Sequence, residues 1–140
     1  MRIAIGNDHT GVELKKHLLT GVLAPHDVTD LGVHTTDSVD YPDQAHLVAE
    51  RIATGQADRG VLICGTGIGM AMAAGKRPGI RAAQCDEPYS AEMSRLHNDA
   101  NILCLGARML GTEMAERIVE VWLATAFAGG RHARRVAKIG

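Results

Sequence analysis

The chain has 140 residues, of which 46% are hydrophobic and 22% are charged, and its formal net charge is −1. That length suits one domain with a buried core, and the near-zero charge gives no reason to expect nucleic acid or an anionic membrane as a partner. Because only 3% of the residues are aromatic, a platform for stacking bases is not expected. The composition favours a small polar ligand.

The cysteines and the apolar runs bear on the compartment. The three cysteines are widely spaced and form no C-x-x-C motif. We therefore expect reduced thiols, with no disulfide framework and no structural zinc site. No apolar run approaches ~18 residues, so neither a membrane span nor a signal peptide is expected. Together these features predict a cytoplasmic protein.

Short β-type runs alternate with longer helical patterns along the chain. The predicted strands are residues 2–6, 27–33, 60–64, 80–85 and 101–106. The predicted helices are residues 10–24, 43–54, 66–76, 88–97 and 110–126. Such alternation is typical of a parallel sheet covered by helices on both faces. It predicts an α/β fold, a single doubly wound domain over residues 1–140 that ends in a basic helical tail at 129–140.

Two predicted helices carry capping signals. Thr10 and Glu13 have the spacing of a capping box at the start of the first helix. For the fourth helix, Asp86 is expected to be the cap and Pro88 to occupy the first turn. The core-facing stripe of that helix is predicted to be Tyr89, Met93 and Leu96.

Polar residues follow the predicted strands where a doubly wound sheet binds its ligands, beyond the carboxyl ends of the strands. Asp8 and His9 follow the first strand, Cys64 ends the third, Asp86 follows the fourth and Arg108 follows the fifth. We expect a thiol, a histidine, carboxylates and an arginine to gather on one edge of the sheet.

The glycine-rich stretch after the third strand, GTGIG at 65–69, matches no common phosphate loop. A dinucleotide fingerprint needs glycine at position 70, and a Walker loop ending at Gly75-Lys76 needs glycine there as well, but position 70 is Met. In a cysteine-phosphatase C-x5-R loop, Met70 would stand in the place of the arginine. The stretch still leaves backbone N–H groups free to face an anion beside a helix N-terminus.

Cys64 therefore has two readings from the local sequence. At the start of this loop it could be a nucleophile or base, because positive partial charge favours a thiolate. It could equally be a buried strand residue, since free cysteines are commonly interior. Cys85 and Cys104 lie among apolar strand residues and are expected to be buried.

Other polar clusters are ambiguous on their own. Asp8 could orient the neighbouring imidazole or cap the first helix. His97, at the end of the fourth helix, could act chemically or only face water. In the tail, Arg131 and Arg135 are four residues apart and could clamp a phosphate, whereas Arg134 and Lys138 suit a solvated face. No metal-ligand spacing such as H-E-x-x-H occurs, so no catalytic metal is expected.

Five stretches in order resemble one family: GNDHTG at 6–11, DYPDQA at 40–45, ICGTGIG at 63–69, EPYSAEMSRLHNDAN at 87–101 and GGRHARRV at 129–136. They look like ribose-5-phosphate isomerase type B, a group that includes galactose-6-phosphate and allose-6-phosphate isomerases. The resemblance implies a Rossmann-like domain with a five-stranded sheet, a homodimer with active sites at the subunit interface, and no metal or organic cofactor. A tetramer is left open.

The implied reaction is reversible aldose-ketose isomerisation of a phosphorylated sugar, normally ribose 5-phosphate to ribulose 5-phosphate, through an enediolate. By resemblance, Cys64 shuttles the proton, and Thr66 with the amides of Gly65, Gly67 and Gly69 stabilises the enediolate. His97 opens the sugar ring. The other implied contacts are Asp8 and Asn98 for sugar oxygens, Tyr41 for the substrate, and His9, Arg108, Arg131 and Arg135 for phosphate.

The resemblance also implies that His97 and Asn98 reach the pocket from the partner subunit. Two positions depart from the family pattern. Ile68 stands where one branch has a catalytic glutamate, and Asn7 stands where relatives usually have a small residue or Cys, so the edge beside Asp8 is expected to be altered. A tetrose- or hexose-phosphate isomerase, and a non-catalytic sugar-phosphate or nucleotide sensor, remain alternatives.

Overall fold

The computed structural model describes all residues, 1–140. Five parallel strands form one sheet in the order β2-β1-β3-β5-β4. Their bounds are β1 Arg2–Asn7, β2 Asp27–Asp30, β3 Arg59–Cys64, β4 Ala82–Gln84 and β5 Ile102–Gly106. The five-stranded parallel sheet of the prediction is confirmed, although β2 and β4 are shorter than their apolar runs. Both short strands form an edge of the sheet.

Six α-helices connect or follow the strands. They are α1 Val12–Thr20, α2 Tyr41–Ala53, α3 Ile68–Ala74, α4 Pro88–Leu96, α5 Thr112–Ala124 and α6 Arg131–Ala137. A 3₁₀ turn, His9–Gly11, precedes α1. None of these helices has the length and apolar character needed to cross a membrane.

The core is divided into two layers by the sheet. Alternate strand residues such as Ile63 and Leu105 pack on one side with α1 and α5, whose buried residues include Trp122. Leu62 and Cys104 point to the other side, where α2 and α3 cover them. This alternation follows from the period of two along a strand. Because helices cover both faces of the sheet, the two ends of the strands are left uncovered.

The capping box predicted at Thr10 and Glu13 and the cap predicted at Asp86 are wrong, whereas Asp8, the alternative cap, and Pro88, in the first turn of α4, are as predicted. The side chain of Asp8, not a Thr10–Glu13 pair, accepts the backbone N–H of Thr10 at 2.9 Å, so the carboxylate caps the 3₁₀ turn. At α4, Glu87 accepts the N–H of Ser90. Asp86 instead accepts the side-chain amide of Gln84 at 2.8 Å. In each case the nearest carboxylate with extended backbone geometry takes the capping role.

The predicted core face of α4 is also wrong. Its buried residues are Ala91, Ser94 and Arg95, whereas Tyr89 is 69% exposed. Arg95 is buried because its guanidinium finds oxygen partners, among them the carbonyl of Ala100 at 2.6 Å. A buried arginine with such partners is tolerated, and apolar periodicity could not reveal it.

Candidate active site

A cavity of about 440 Å³ opens at the carboxyl ends of β1 and β3. Its walls come from the ends of these strands, the start of α2 and α3, and the loop after β5. The lining residues are Asp8, Tyr41, Cys64, Gly65, Thr66, Ile68, Gly69, Met72 and Arg108. The sheet thus brings the thiol, one carboxylate and one arginine together, as the strand ends predict, whereas His9 and Asp86 do not line this cavity.

Cys64 is the last residue of β3 and is 5% exposed, with its side chain on the cavity wall. The backbone N–H of Gly67 donates to its Sγ at 3.1 Å. An N–H aimed at sulfur stabilises a thiolate more than a thiol. Cys64 is therefore a buried strand residue whose side chain also borders the cavity, so its burial does not exclude contact with a ligand there.

The turn after Cys64 depends on glycine at position 67. Gly67 has a φ of +79°, and a Cβ there would lie 3.0 Å from the carbonyl carbon of Leu105. Thr66 Oγ1 accepts the N–H of Ile68 at 3.2 Å, which shapes the start of α3. The turn consequently keeps its backbone N–H groups beside the sulfur, where they can face an oxyanion.

The other two cysteines behave as the sequence predicts. Cys104 is 0% exposed, and burial raises its pKa well above the ordinary value. Burial also raises the pKa of Cys85, against which Ser90 and Ser94 act as hydrogen-bond partners. Neither thiol lines the cavity. Cys64 is the one thiol with access to a ligand there.

Asp8 and His9 are both oriented by hydrogen bonds, Asp8 by a neighbouring residue and His9 by the distant Val39. Asp8 Oδ1 accepts both the N–H and the hydroxyl of Thr10, at 2.9 and 2.6 Å, so its second oxygen is left for a ligand. His9 Nδ1 accepts the N–H of Val39 at 3.3 Å. A neutral His9 then carries its proton on Nε2, which makes that nitrogen a donor.

Asn7 and Lys15 hold the loop that follows β2. Asn7 is fully buried; its amide nitrogen donates to the carbonyl of Val33 at 3.2 Å, and its Oδ1 accepts the N–H of the same residue. Lys15 is 1% exposed and donates to Asp30 Oδ1 at 3.1 Å and to the Val33 carbonyl at 2.7 Å. Asn7 thus does not line the cavity beside Asp8. The burial of Lys15 was not predicted, and the one signal for it in the sequence is its position beside Leu14 on the buried face of α1.

Tyr41 and Arg108 sit against glycines of the loop. A Cβ on Gly69 would lie 2.6 Å from the Tyr41 ring, and a Cβ on Gly65 would lie 3.6 Å from Arg108. The backbone of Arg108 is fixed because its N–H donates to the carbonyl of Gly65 at 3.1 Å. The small residues therefore give a ring and a guanidinium close access to the turn.

The remaining candidates form a second group away from this cavity. His97 and Asn98 follow α4, which begins beyond the carboxyl end of β4 and returns to the opposite edge of the sheet. Arg131 and Arg135 are exposed on α6. The rings of His97 and His132 stack at 4.2 Å with 14° between their planes, which joins α6 to the end of α4. One chain does not bring the two groups together.

The stacked pair has an electrostatic consequence. Desolvation lowers the pKa of His132, and the neighbouring His97, Arg131 and Arg135 lower it further. A neutral ring at position 132 avoids placing a cation against these groups. No three His, Cys, Asp or Glu side chains of the chain lie close enough together to hold a metal ion.

Comparison with known proteins adds a family to this geometry. Residues 3–139 match the family model described as Ribose/Galactose Isomerase. Ribose-5-phosphate isomerase B of Escherichia coli is 46% identical over 99% of this chain and 93% of that protein. A D-erythrulose-4-phosphate isomerase of Pectobacterium atrosepticum is 44% identical over all of this chain and 93% of that protein. The solved structure of Clostridium thermocellum ribose-5-phosphate isomerase B superposes with a TM-score of 0.97 at 52% identity, covering 100% of this chain and 95% of that one.

Proposed function

Because the chain belongs to the ribose/galactose isomerase family, we propose that it interconverts ribose 5-phosphate and ribulose 5-phosphate. The observation that carries the proposal is Cys64, a thiol on the cavity wall with the N–H of Gly67 aimed at its sulfur. An aldose-ketose isomerase needs one base that works near neutral pH and donors for the developing oxyanion. The candidate base, Cys64, and the candidate donors, the backbone N–H groups, both lie in the turn that follows β3.

The chemistry assigned to Cys64 begins with the open-chain aldose. The thiolate takes the proton from C2, and the electron pair of that C–H bond forms the C1–C2 double bond while O1 becomes negative. Backbone N–H groups of Gly65, Gly67 and Gly69, with Thr66, stabilise this enediolate. The thiol then returns a proton to C1 while the O2 hydroxyl proton passes to O1, which leaves a ketone at C2.

The phosphate and the hydroxyls need separate anchors. Arg108 lines the cavity as a forked donor and suits the phosphate. His9 does not line the cavity, but it follows the cavity residue Asp8 in the chain, and its Nε2–H is a second candidate donor to the phosphate. The free oxygen of Asp8 and the hydroxyl of Tyr41 suit sugar hydroxyls. Such contacts persist through the reaction, so they serve affinity more than the chemical step.

We further propose that the site is completed by a second copy of the chain. The loop with His97 lies where the strands of the sheet begin, whereas Cys64 lies where they end. The two are separated by the length of β5, whose five residues at ~3.3 Å each span roughly 15 Å. A reciprocal dimer would bring His97, Asn98, Arg131 and Arg135 of the partner subunit to this cavity. The exposure of three apolar side chains beside the cavity supports the proposal that a second subunit covers this surface: Tyr41, Ile68 and Met72 are 41%, 48% and 68% exposed.

The substrate is tested with a panel of four-, five- and six-carbon aldose phosphates. We expect the highest kcat/KM for ribose 5-phosphate, measured as ketose formation. A preference for erythrose 4-phosphate would support the alternative favoured by the erythrulose-4-phosphate isomerase among the relatives, and a preference for a hexose 6-phosphate would indicate a deeper pocket. Binding without turnover on every sugar would instead indicate a sensor.

A further inference from the structure

The turn that carries His97 and Asn98 has an unusual backbone. Asp99, the next residue, has a φ of +48° and is the one non-glycine residue of the chain with positive φ. Aspartate adopts this left-handed conformation more readily than most residues, and it is common where a helix ends. Two backbone bonds close the end of α4 here, from the N–H of Asp99 to the carbonyl of Arg95 at 3.2 Å and from the N–H of Ala100 to the carbonyl of Ser94 at 2.9 Å. Side-chain contacts add to them.

Two arginines hold Asp99 from different elements. Arg81, just before β4, donates through Nε to the Asp99 carbonyl at 2.8 Å and through Nη2 to Oδ2 at 3.1 Å. Arg95, in α4, donates to Oδ1 at 2.9 Å. Both carboxylate oxygens and the backbone carbonyl of Asp99 are therefore occupied. We call Arg81, Asp99 and Arg95 the arginine clamp.

The clamp also fixes the chain segment that leads to the tail. Arg95 is 2% exposed, and its Nε donates to the carbonyl of Thr125 at 3.2 Å. The N–H of Ala128 donates to the carbonyl of Leu96 at 3.0 Å. The segment that carries α6, with Arg131 and Arg135, is thereby tied to the same turn as His97.

We propose that the arginine clamp is the positioning device that orients His97 for ring opening of a sugar held in the partner's cavity. This inference rests on the proposed function. His97 ends α4 between Arg95 and Asp99, so the clamp fixes the backbone on both sides of it, and the stack on His132 orients its imidazole. A catalytic group displaced by about 1 Å loses rate on the order of 10²-fold.

The test separates ring opening from proton transfer. Ribose 5-phosphate is mainly a furanose and must open, whereas ribulose 5-phosphate has its O5 blocked by phosphate and stays an open chain. Starting from ribulose 5-phosphate, removal and return of a C1 hydrogen by Cys64 exchanges that hydrogen with solvent and needs no sugar ring. Two rates are therefore measured on the full-length protein: ketose formation from ribose 5-phosphate, and exchange of the C1 hydrogen of ribulose 5-phosphate with D₂O.

Three variants probe the clamp. Asp99→Asn removes the charge but tolerates positive φ, Asp99→Gly adopts that φ freely without a carboxylate, and Arg81→Lys keeps a cation without the fork. We expect kcat for ribose 5-phosphate to fall about tenfold or more in both Asp99 variants, with a smaller loss in Arg81→Lys. The exchange of the C1 hydrogen of ribulose 5-phosphate with D₂O should change less than about threefold, because proton transfer at Cys64 is untouched.

Glu50→Gln is the matched control, because it removes the carboxylate from an exposed ion pair with Arg77 elsewhere on the surface. It should change neither rate. Equal losses in ketose formation and in C1 exchange would assign the clamp a structural role only, and unchanged rates in the Asp99 variants would also overturn the inference. A wild-type protein without activity on either pentose phosphate would instead defeat the proposed function.

Discussion

His97 and Cys64 lie near opposite ends of the strands of one sheet. Cys64 ends β3 at the carboxyl edge, and His97 follows α4 at the amino edge, where β5 begins. α3, β4 and α4 separate them along the chain, and the length of the strands separates them in space, so we expect the two side chains to reach one small sugar only from different subunits. This relationship makes the subunit origin of each residue testable.

The first prediction is complementation between two inactive variants. Cys64→Ala and His97→Asn should each be inactive on ribose 5-phosphate, and mixing them after subunit exchange should restore activity. In a random mixture, half of the dimers are mixed and each has one intact site, so activity should approach ~25% of wild type. Isomerase assays before and after exchange provide the measurement. If mixing restores nothing although mixed dimers form, both residues act within one chain or the assembly differs.

The second prediction concerns the thiol. Cys64→Ala should lower kcat about 10²–10⁴-fold, the usual contribution of a general base, while a competitive sugar-phosphate inhibitor still binds with near-normal affinity. Cys104→Ala is the control, since that buried thiol does not line the cavity and its pKa is raised. Steady-state kinetics and inhibitor titration separate the two effects. A Cys64→Ala enzyme with near-normal kcat would remove the thiol from the mechanism.

The third prediction tests the contact between Tyr41 and the glycine loop. In Gly69→Ala the new Cβ would lie 2.6 Å from the Tyr41 ring, so the ring must move. We expect KM for ribose 5-phosphate to rise about tenfold, with a smaller effect on kcat, because Tyr41 is assigned to substrate binding. Gly111→Ala is the matched control, since nothing lies within 4 Å of its Cβ position. Equal KM values in the two variants would exclude a role for this contact.

The sequence predicted the fold of this molecule and the group of candidate residues around Cys64. Alternating strand and helix patterns place Asp8, Cys64 and Arg108 at strand ends, and parallel topology then puts strand ends on one edge. The structure agrees at all three positions. Local patterns of this kind are read directly, because each depends on a few neighbouring residues.

The contacts that depend on distant partners could not be predicted. Asn7 was expected to alter the edge beside Asp8, and its amide nitrogen does donate to the Asp8 carbonyl at 2.8 Å. Its pairing with Val33, 26 positions away, was not predicted. Arg95 was hidden in an apparent polar face of α4, although three oxygens satisfy its guanidinium. Such groups become buried only because long-range partners compensate for their lost hydration. Periodicity contains no information on those partners.

The fourth prediction concerns the stability contributed by Asn7. Asn7→Ala removes both bonds to Val33 and leaves that N–H without its partner, so we expect a loss of about 1–3 kcal/mol in the free energy of unfolding. Thr54→Ala, at the exposed end of α2, should change it by less than about 0.5 kcal/mol. Denaturant unfolding at fixed protein concentration measures both. Similar values for the two variants would mean that the loop after β2 is held without Asn7.

The last prediction is a pH dependence of the docked tail. The pKa of His132 in the folded protein lies below the ordinary 6.5, because of desolvation and then His97, Arg131 and Arg135. Between the two pKa values the undocked tail binds more protons, so docking is stable above pH 6.5 and weakens as the pH falls through the folded pKa. Hydrogen-exchange protection of α6 amides should therefore decrease in acid. His132→Phe keeps an aromatic ring against His97 but cannot take up a proton, so its protection should lose this sensitivity to acid. The same decrease in both proteins would assign the effect to another group.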